Sequence, residues 1–308
     1  MNVLVTGGAG FIGSHLVDAL VGRGDSVRVL DDLFSGAREI VNPGATLVEA
    51  SVTDNDAVRE SVEGIEVVFH QAAHRAVLRS VEDPIATDAA NVHGTVTVLK
   101  AALDAGVRRV VYASSSSVYG GAETLPTPET APTLPRSPYA ASKLAGEHYC
   151  RVFAELYEIE TVSLRYFNVY GPRQRPDSAY AAVIPLFIAA LRNGRAPEVH
   201  GDGEQSRDFS YVSDVVAANL AACAADAERC NGRVYNVAGG TSHSLLDLLD
   251  VLGRILDVEP RPVHTEPRAG DIRHACADPA AARRELGFAC RVGFEEGLRR
   301  TVDWLVTA

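Results

Sequence analysis

The first thirteen residues constrain the fold of this chain more strongly than any other stretch. Residues 2–6 form an apolar, β-branched run that is typical of a buried strand. Three glycines follow at once, Gly7, Gly10 and Gly13, and residues 14–20 then carry helical spacing of apolar side chains. A strand, a glycine turn and a helix in this order predict a dinucleotide-binding loop. In such a loop the free N–H groups of the first helical turn bind a pyrophosphate.

The glycines have separate roles in this interpretation. Gly7 permits the tight turn, Gly10 lets phosphates approach the backbone, and Gly13 lets the helix pack closely on the strand. The spacing differs from the usual G-x-G-x-x-G, so the loop alone could be an ordinary turn.

A second strand over 27–30 ends at Asp31 and Asp32, and Asp31 lies 18 residues after Gly13. A carboxylate here accepts hydrogen bonds from the adenosine ribose and repels a 2′-phosphate, which favours NAD over NADP. The alternative is two solvated aspartates.

Strands and helices alternate through the first half of the chain. We predict strands at 3–5, 27–30, 46–49, 67–69, 110–113 and 160–165, and helices at 14–23, 54–62, 88–105 and 139–157. Such alternation predicts an α/β fold, a Rossmann-type doubly wound parallel sheet with helices on both faces. Ligands of such sheets bind at the carboxyl ends of the strands.

The rhythm changes after position 170, so we expect a cofactor-binding domain over 1–170 and a substrate lobe over 171–308. A predicted helix at 209–225 and a strand at 233–237 suggest that 209–238 rejoins the first domain. Predicted helices at 244–256 and 279–286 complete a smaller, interleaved C-terminal α/β lobe.

Composition excludes several classes of protein. A net charge of −11 argues against nucleic acid or an anionic membrane as a partner. No apolar run is long enough to span a bilayer, and the start of the chain lacks the basic region of a signal peptide. Five cysteines without a C-x-x-C pair, and histidines without metal-ligand spacing, indicate a cytoplasmic protein with no metal site.

Two further groups of residues carry chemistry. Tyr139 and Lys143 lie four residues apart and share one helix face. A nearby ammonium favours the phenolate, so Tyr139 could act as a general base, although this pair is common by chance on surface helices. The strand at 110–113 runs into four serines, residues 114–117, at the expected active-site edge. One of them could share the reacting proton with Tyr139, unless the run is only a serine-rich turn.

At these residues the chain resembles the extended short-chain dehydrogenases/reductases, and within them the UDP-sugar 4-epimerases. The motifs that carry the resemblance are TGGAGFIG at 6–13, SSVYG at 116–120, SPYAASK at 137–143, LRYFN at 164–168, GDGEQSRDF at 201–209 and RAGD at 268–271. They extend over essentially the whole chain.

The resemblance implies a role for individual residues. The implied catalytic residues are Ser115, Tyr139 and Lys143. The implied NAD-binding residues are Gly7, Gly10, Phe11, Ile12, Gly13, Asp31, Asp32, Ser35, Gly36, Ser51, Val52, Gln71, Ala72, Ala73, Asn91, Ser114, Tyr139, Lys143 and Tyr166. The implied substrate-binding residues are Arg75, Ser115, Ser116, Tyr139, Asn168, Ala182, Val183, Val199, His200, Arg207, Arg268, Asp271 and Ala275.

The implied reaction is 4-epimerisation of a UDP-hexose with tightly held NAD. Tyr139 takes the proton of the sugar 4-hydroxyl, hydride leaves carbon 4, and the flat 4-keto sugar turns over before hydride returns. Lys143 would hold the nicotinamide ribose and tune Tyr139. The resemblance also implies a homodimer through the helices at 88–105 and 139–157.

Several positions depart from the family pattern. Dehydratases and decarboxylases carry acidic residues where this chain has Ser116 and Ser117, which favours epimerisation over elimination. Ser51 replaces an aspartate that contacts adenine. Arg75 stands where many N-acetylhexosamine epimerases have glycine, whereas the small Ala275 leaves room for an acetamido group. UDP-glucose/UDP-galactose is therefore favoured, and the N-acetylated pair is also plausible. The alternatives are a UDP-glucuronate epimerase or decarboxylase, a nucleotide-sugar dehydratase, and a non-catalytic nucleotide sensor.

Overall fold

A computed structural model describes residues 1–174, 182–267 and 272–307 of the chain. Its strands are β1 (Asn2–Thr6), β2 (Ser26–Asp31), β3 (Thr46–Glu49), β4 (Val67–His70), β5 (Arg109–Ser115), β6 (Glu160–Tyr166), β7 (Val169–Tyr170), β8 (Glu198–His200), β9 (Ser206–Asp208), β10 (Ser210–Tyr211), β11 (Arg233–Val237), β12 (Ser242–Ser244) and β13 (Val263–Thr265). Its α-helices are α1 (Phe11–Gly22), α2 (Asn55–Val62), α3 (Val77–Glu82), α4 (Pro84–Asp88), α5 (Gly94–Asp104), α6 (Pro138–Leu156), α7 (Val183–Arg192), α8 (Val212–Ala224), α9 (Ala227–Cys230), α10 (Leu245–Leu256) and α11 (Phe294–Thr307).

Seven strands form one parallel sheet in the order β11-β6-β5-β4-β1-β2-β3. The predicted Rossmann-type sheet is confirmed. Its central strands are buried on both faces because helices cover both, which explains why they consist of continuous apolar runs. Leu16 and Leu20 of α1 pack on one face, and Val58 of α2 and Leu99 of α5 pack on the other.

The C-terminal lobe has a core and small sheets of its own. Three two-stranded sheets pair β10 with β7, β12 with β9, and β13 with β8. Its apolar core includes Ile188 of α7, Leu248 of α10 and Leu298 of α11. The strand β11 pairs in parallel with β6, so the chain returns to the large sheet from this lobe. No helix in the described part of the chain combines the length and apolar character needed to cross a membrane.

Some predicted boundaries were wrong. The helix predicted at 209–225 begins only at Val212, because Ser210 and Tyr211 are drawn into pairing with β7. The helix predicted to start at 88 starts at Pro84, where Asp83 caps the first turn, and a π-helical turn at Ala89–His93 joins α4 to α5. The helical segment expected at 279–286 begins at position 280 and is mainly a π-helical turn, Ala282–Leu286.

Four helices, α3, α7, α9 and α11, were not predicted. In α11 the ion pairs Arg299–Glu295 and Arg300–Glu296 occupy the surface at helical spacing. Its apolar residues recur at helical spacing, at positions 294, 298, 302 and 305, so the pattern of this helix was present in the sequence.

Candidate active site

The glycine turn after β1 has the geometry expected of a phosphate-binding loop. Gly7 has a φ of +70°, a conformation that favours glycine, and a Cβ on Gly13 would lie 2.1 Å from the Gly7 carbonyl oxygen. No side chain caps the N-terminus of α1 at Gly10, and the helix has no acidic residue in its first turn. The uncapped N-terminus thus presents partial positive charge to the space above the sheet.

A cavity of about 320 Å³ lies over this loop, where the central strands end. Eighteen predicted residues line it: Gly7, Gly10, Phe11, Ile12, Gly13, Asp31, Asp32, Ser35, Ser51, Val52, Gln71, Ala72, Ala73, Arg75, Ser114, Tyr139, Lys143 and Tyr166. The sequence did not indicate the lining residues Ala9, Leu30, Phe34, Ala37, Ile40, Ala50, His74, Ala90, Ala113, Arg173 and Trp304. The site therefore includes most of the residues predicted for a dinucleotide.

Asp31 is buried at the end of β2 and orders the loops around it. One carboxylate oxygen accepts the Ala9 N–H at 2.9 Å, and the other accepts the Leu33 N–H at 2.8 Å. Burial raises the pKa of this carboxyl group, while the two amide hydrogen bonds act in the opposite direction. A carboxylate has further lone pairs, so Asp31 can still accept ribose hydroxyls. Ser51, at the neighbouring strand end, hydrogen-bonds Thr53 at 2.9 Å.

A buried polar network supports the wall of the cavity behind Ala72. The Thr95 hydroxyl donates to the Asn91 carbonyl at 2.5 Å, so it must accept a hydrogen bond from His70 Nε2 at 2.9 Å. His70 Nδ1 then accepts from the Thr6 hydroxyl at 2.7 Å, and Thr6 in turn accepts the Ala72 N–H at 3.2 Å. Burial lowers the pKa of His70 to about 3, so the ring is neutral. The hydrogen bonds fix its tautomer.

Asn91 lies behind the cavity wall rather than on its surface. Its side chain accepts the His74 N–H at 2.7 Å and donates to the His74 carbonyl at 3.1 Å and to Ser142 at 2.9 Å. The Asn91 amide is thus committed to the backbone of the lining residue His74 and does not face the cavity directly. Gly36 is also outside the lining; a Cβ there would lie 2.6 Å from the Ala9 carbonyl oxygen.

Tyr139 lies in the first turn of α6, close enough to Ser115 for the serine hydroxyl to affect its pKa. Burial raises the pKa of the Tyr139 hydroxyl, and the hydrogen bond with Ser115 and the positive charge of Arg75 oppose this rise. The expected lowering of the Tyr139 pKa by Lys143 is not observed here. The Lys143 ammonium instead donates to the Ala113 carbonyl at 2.8 Å and lies 5.0 Å from the ring centroid of Tyr112.

Lys143 is buried, which lowers its pKa to about 8, and the nearby carboxylate of Glu147 opposes this shift. Glu147 follows Tyr139 and Lys143 on the same face of α6. It forms a buried ion pair with Arg165, with nitrogen–oxygen distances of 2.7 and 2.8 Å. The Ser114 hydroxyl also donates to Glu147. Glu147 was not predicted as a site residue, although its helical spacing from Lys143 is visible in the sequence.

The predicted substrate residues lie mainly around the small sheets of the lobe. Val199 is fully buried, whereas His200 Nδ1 hydrogen-bonds the Thr265 hydroxyl at 2.8 Å. Arg207, in β9, donates to the Ser206 carbonyl at 2.9 Å. The Ala275 N–H also donates to Ser206, at 3.0 Å.

The remaining predicted substrate residues are distributed as follows. Asn168 donates to the Asp208 carbonyl at 3.3 Å, Ala182 and Val183 form the start of α7, and Ser116 lies in a short 3₁₀ turn after β5. Arg268 and Asp271 lie outside the described residues.

Three features agree with the family comparison: a glycine turn at an uncapped helix, a buried carboxylate at the end of β2, and Tyr139 and Lys143 in the wall of the same cavity. Residues 3–238 match the model of the NAD dependent epimerase/dehydratase family. The chain belongs to this family, and its cofactor is NAD.

Individual proteins similar to this chain are sugar-nucleotide 4-epimerases. A UDP-glucose 4-epimerase of Mycolicibacterium smegmatis is 40% identical over 311 residues, which cover 99% of this chain and 98% of that protein. The Thermotoga maritima UDP-glucose 4-epimerase with UDP-glucose superposes with a TM-score of 0.95 and 38% identity, covering 100% and 99% of the two chains. The Methanobrevibacter ruminantium UDP-N-acetylglucosamine 4-epimerase in complex with UDP-N-acetylmuramic acid superposes with a TM-score of 0.94 and 39% identity. The superposition covers 99% of this chain and 98% of that chain.

Proposed function

We propose that this protein catalyses NAD-dependent 4-epimerisation of a UDP-hexose through a transient 4-keto sugar. The observation that carries the proposal is the pair of Tyr139, which lines the cavity, and Ser115, which lies close enough to lower the pKa of Tyr139. Serines, not carboxylates, follow this pair at positions 116 and 117. Among the described residues that line the cavity, the carboxylates are Asp31 and Asp32, both at the end of β2. Water elimination needs a second acid or base beside the sugar, which these residues do not supply.

The residues present fit NAD. The uncapped N-terminus of α1 suits a pyrophosphate, Asp31 suits the adenosine ribose, and Lys143 lines the same cavity as Tyr139. When bound, NAD supplies a reversible acceptor for the hydride of carbon 4. Because the reaction returns the cofactor to its starting state, a tightly held cofactor suits it better than an exchanging one.

Within this proposal Tyr139 holds the reacting proton. Its oxygen takes the proton of the sugar 4-hydroxyl, and the Ser115 hydroxyl shares that proton through the hydrogen bond between them. The same pair returns the proton when hydride comes back on the other face. Arg75 favours the phenolate during the step, because its positive charge lowers the pKa of Tyr139.

We assign UDP binding to the lobe at 171–308, while 1–170 with 209–238 holds the cofactor. The proposed contacts are Asn168, Ala182, Val183, Val199, His200, Arg207, Arg268 and Asp271. Arginine side chains suit a diphosphate and an aspartate suits a ribose hydroxyl. A firmly held nucleotide supplies binding energy that positions a sugar free to turn over.

The sugar is proposed to be glucose/galactose, with the N-acetylated pair as a further substrate because Ala275 is small. A UDP-hexuronate is the second candidate. The observation that favours it is the positive charge of Arg75 beside Tyr139, which would attract a sugar carboxylate.

A product assay tests these assignments. The purified protein is incubated with UDP-galactose, UDP-N-acetylgalactosamine or UDP-glucuronate without added cofactor, and the products are separated by chromatography. We expect UDP-galactose to reach equilibrium with UDP-glucose. Turnover of UDP-glucuronate alone would assign the second candidate, and loss of water or carbon dioxide would assign another reaction class. If none of the three sugars reacts, the epimerase proposal fails.

We also propose a homodimer built from α4, α5 and α6. The face of α6 with Ala140 and Cys150 is buried in the core of the chain, whereas Val152 and Leu156 are exposed on the same helix. Ile85, at the start of α4, is 81% exposed. Paired helices from two subunits would cover these apolar side chains.

Sedimentation velocity tests the dimer. Leu156→Glu is expected to shift a dimer toward monomer, because a charge in an apolar interface loses its hydration. Val306→Glu changes an exposed apolar residue of α11 and is the matched control. A monomeric wild type, or a dimer that Leu156→Glu leaves intact at low concentration, would argue against this interface.

A cytoplasmic location is part of the proposal. The five cysteines are free thiols, as a reducing compartment favours. Fractionation of cells followed by immunodetection tests it; recovery outside the cytoplasmic fraction would contradict it.

A further inference from the structure

Arg173 reaches the cofactor cavity from the turn after β7, outside the glycine loop. It lines the cavity together with Gly10, Ile12 and Gly13. Its backbone is left-handed, with a φ of +68°, which is uncommon for a residue with a side chain. One terminal nitrogen, Nη2, forms an ion pair with Asp18 Oδ2 of α1 at 2.7 Å. The guanidinium group is therefore held in a defined place beside the first turns of α1.

The other terminal nitrogen of Arg173 has no partner. Nη1 is buried and makes no hydrogen bond within the described chain. Asp18 does not satisfy it, and the other oxygen of that carboxylate accepts a hydrogen bond from Asn42 at 2.8 Å. A buried N–H donor without an acceptor is unfavourable, so native structures pair such groups with protein, water or ligand. An anion would suit this place, because the uncapped N-terminus of α1 offers further N–H donors in the same cavity as Arg173 Nη1.

We propose that Arg173 binds the pyrophosphate of NAD together with the glycine loop. The fixed, planar guanidinium suits phosphate oxygens, and Asp18 orients it without using Nη1. The pyrophosphate would then lie between the backbone N–H groups of α1 and a side chain from the segment that follows β7. Trp304 of α11 lines the same cavity, so a second element of the C-terminal half also borders the cofactor.

The test compares two variants that break the same ion pair. Arg173→Gln removes both the pair and the proposed ligand, whereas Asp18→Asn removes the pair but keeps the guanidinium charge. The readout is NAD retained by the purified protein and the rate at which labelled NAD exchanges with it. Trp304 is the single tryptophan of the chain, and its fluorescence gives an independent measure of occupancy. No sugar substrate is needed, so this test is independent of the proposed epimerisation.

We expect Arg173→Gln to weaken NAD binding about 10- to 100-fold, the usual effect of losing a hydrogen bond to a charged group. Asp18→Asn is expected to cause a much smaller loss, and Arg173→Lys to restore part of the binding. Arg254→Gln, which removes an exposed ion pair with Glu295, is the control for surface charge.

Three results would overturn the proposal. NAD binding that Arg173→Gln leaves unchanged would exclude the contact. Equal losses in Arg173→Gln and Asp18→Asn would indicate that Arg173 only supports the fold. A loss of UDP binding with NAD retained would assign Arg173 to the substrate diphosphate. Melting temperatures of all variants show whether the folded state is preserved.

Discussion

Replacing Tyr139 with phenylalanine is expected to lower kcat by about 10²- to 10⁴-fold, the usual contribution of a positioned acid–base group. The substitution removes one oxygen, which in the proposed reaction holds the reacting proton and lies near Ser115. The aromatic ring stays in place, so the cavity wall is preserved. The measurement is the rate of UDP-galactose conversion, together with NAD content and UDP affinity.

NAD content and UDP affinity should remain close to those of the wild type, because neither depends on the phenol oxygen. Tyr149→Phe is the matched control, since Tyr149 lies on the same helix and is 41% exposed. Undiminished turnover in Tyr139→Phe would show that another group is the base, and Ser115 would be the next candidate.

The second large effect is expected at the buried ion pair of Glu147 and Arg165. Glu147→Gln leaves the Arg165 guanidinium buried without a counter-charge, and Arg165→Gln leaves the carboxylate in the same condition. Removing one partner of a buried pair costs about 3–5 kcal/mol of unfolding free energy. Urea unfolding at neutral pH measures this loss, which should be similar for the two variants.

The two variants should differ in the pH dependence of activity. Lys143 has a pKa of about 8 because burial disfavours its charge, so activity that needs the ammonium falls as pH rises through this value. Glu147 raises the pKa of Lys143. Replacing Glu147 with Gln therefore lowers the pH at which activity is lost, that is, it moves the alkaline limb of the pH–activity profile to lower pH. Arg165→Gln keeps the carboxylate and should not move the limb downward.

A purely structural role for Glu147 would give a different pattern. Both variants would then lose stability and activity together, with the alkaline limb unchanged. Glu147→Asp keeps the charge and is expected to restore the position of the limb. Equal downward shifts in Glu147→Gln and Arg165→Gln would show that the loss of packing, not the charge, perturbs Lys143.

The sheet could be predicted from the sequence because each of its strands is a local apolar run. β1, β4 and β5 are each buried by helices on both faces, and this leaves a continuous pattern of Val, Leu, Phe and Tyr. The short strands of the lobe have two or three residues and depend on distant partners, as in the pairing of β13 with β8. Local patterns of this length carry too little information to distinguish a strand from a turn.

For the candidate active site, local spacing could be predicted from the sequence, but contacts between distant segments could not. The spacing of Tyr139 and Lys143 put both on one face of a helix, but the direction of the Lys143 ammonium depends on the Ala113 carbonyl of β5. Arg173 and Trp304 lie far along the chain from the glycine loop, and only the folded structure brings them to its cavity. No local sequence pattern therefore indicates that these two residues line the cavity.

The hydrogen-bond chain through His70 limits where protons can move near the cavity. It begins at the Ala72 N–H and ends at the Asn91 carbonyl, and neither backbone group releases or accepts a proton near neutral pH. The imidazole between them stays neutral because its pKa is about 3. This hydrogen-bond chain behind Ala72 thus offers no path for protons into the core. A proton taken from the sugar would then have no exit through this hydrogen-bond chain, and could be returned to the same molecule that gave it up.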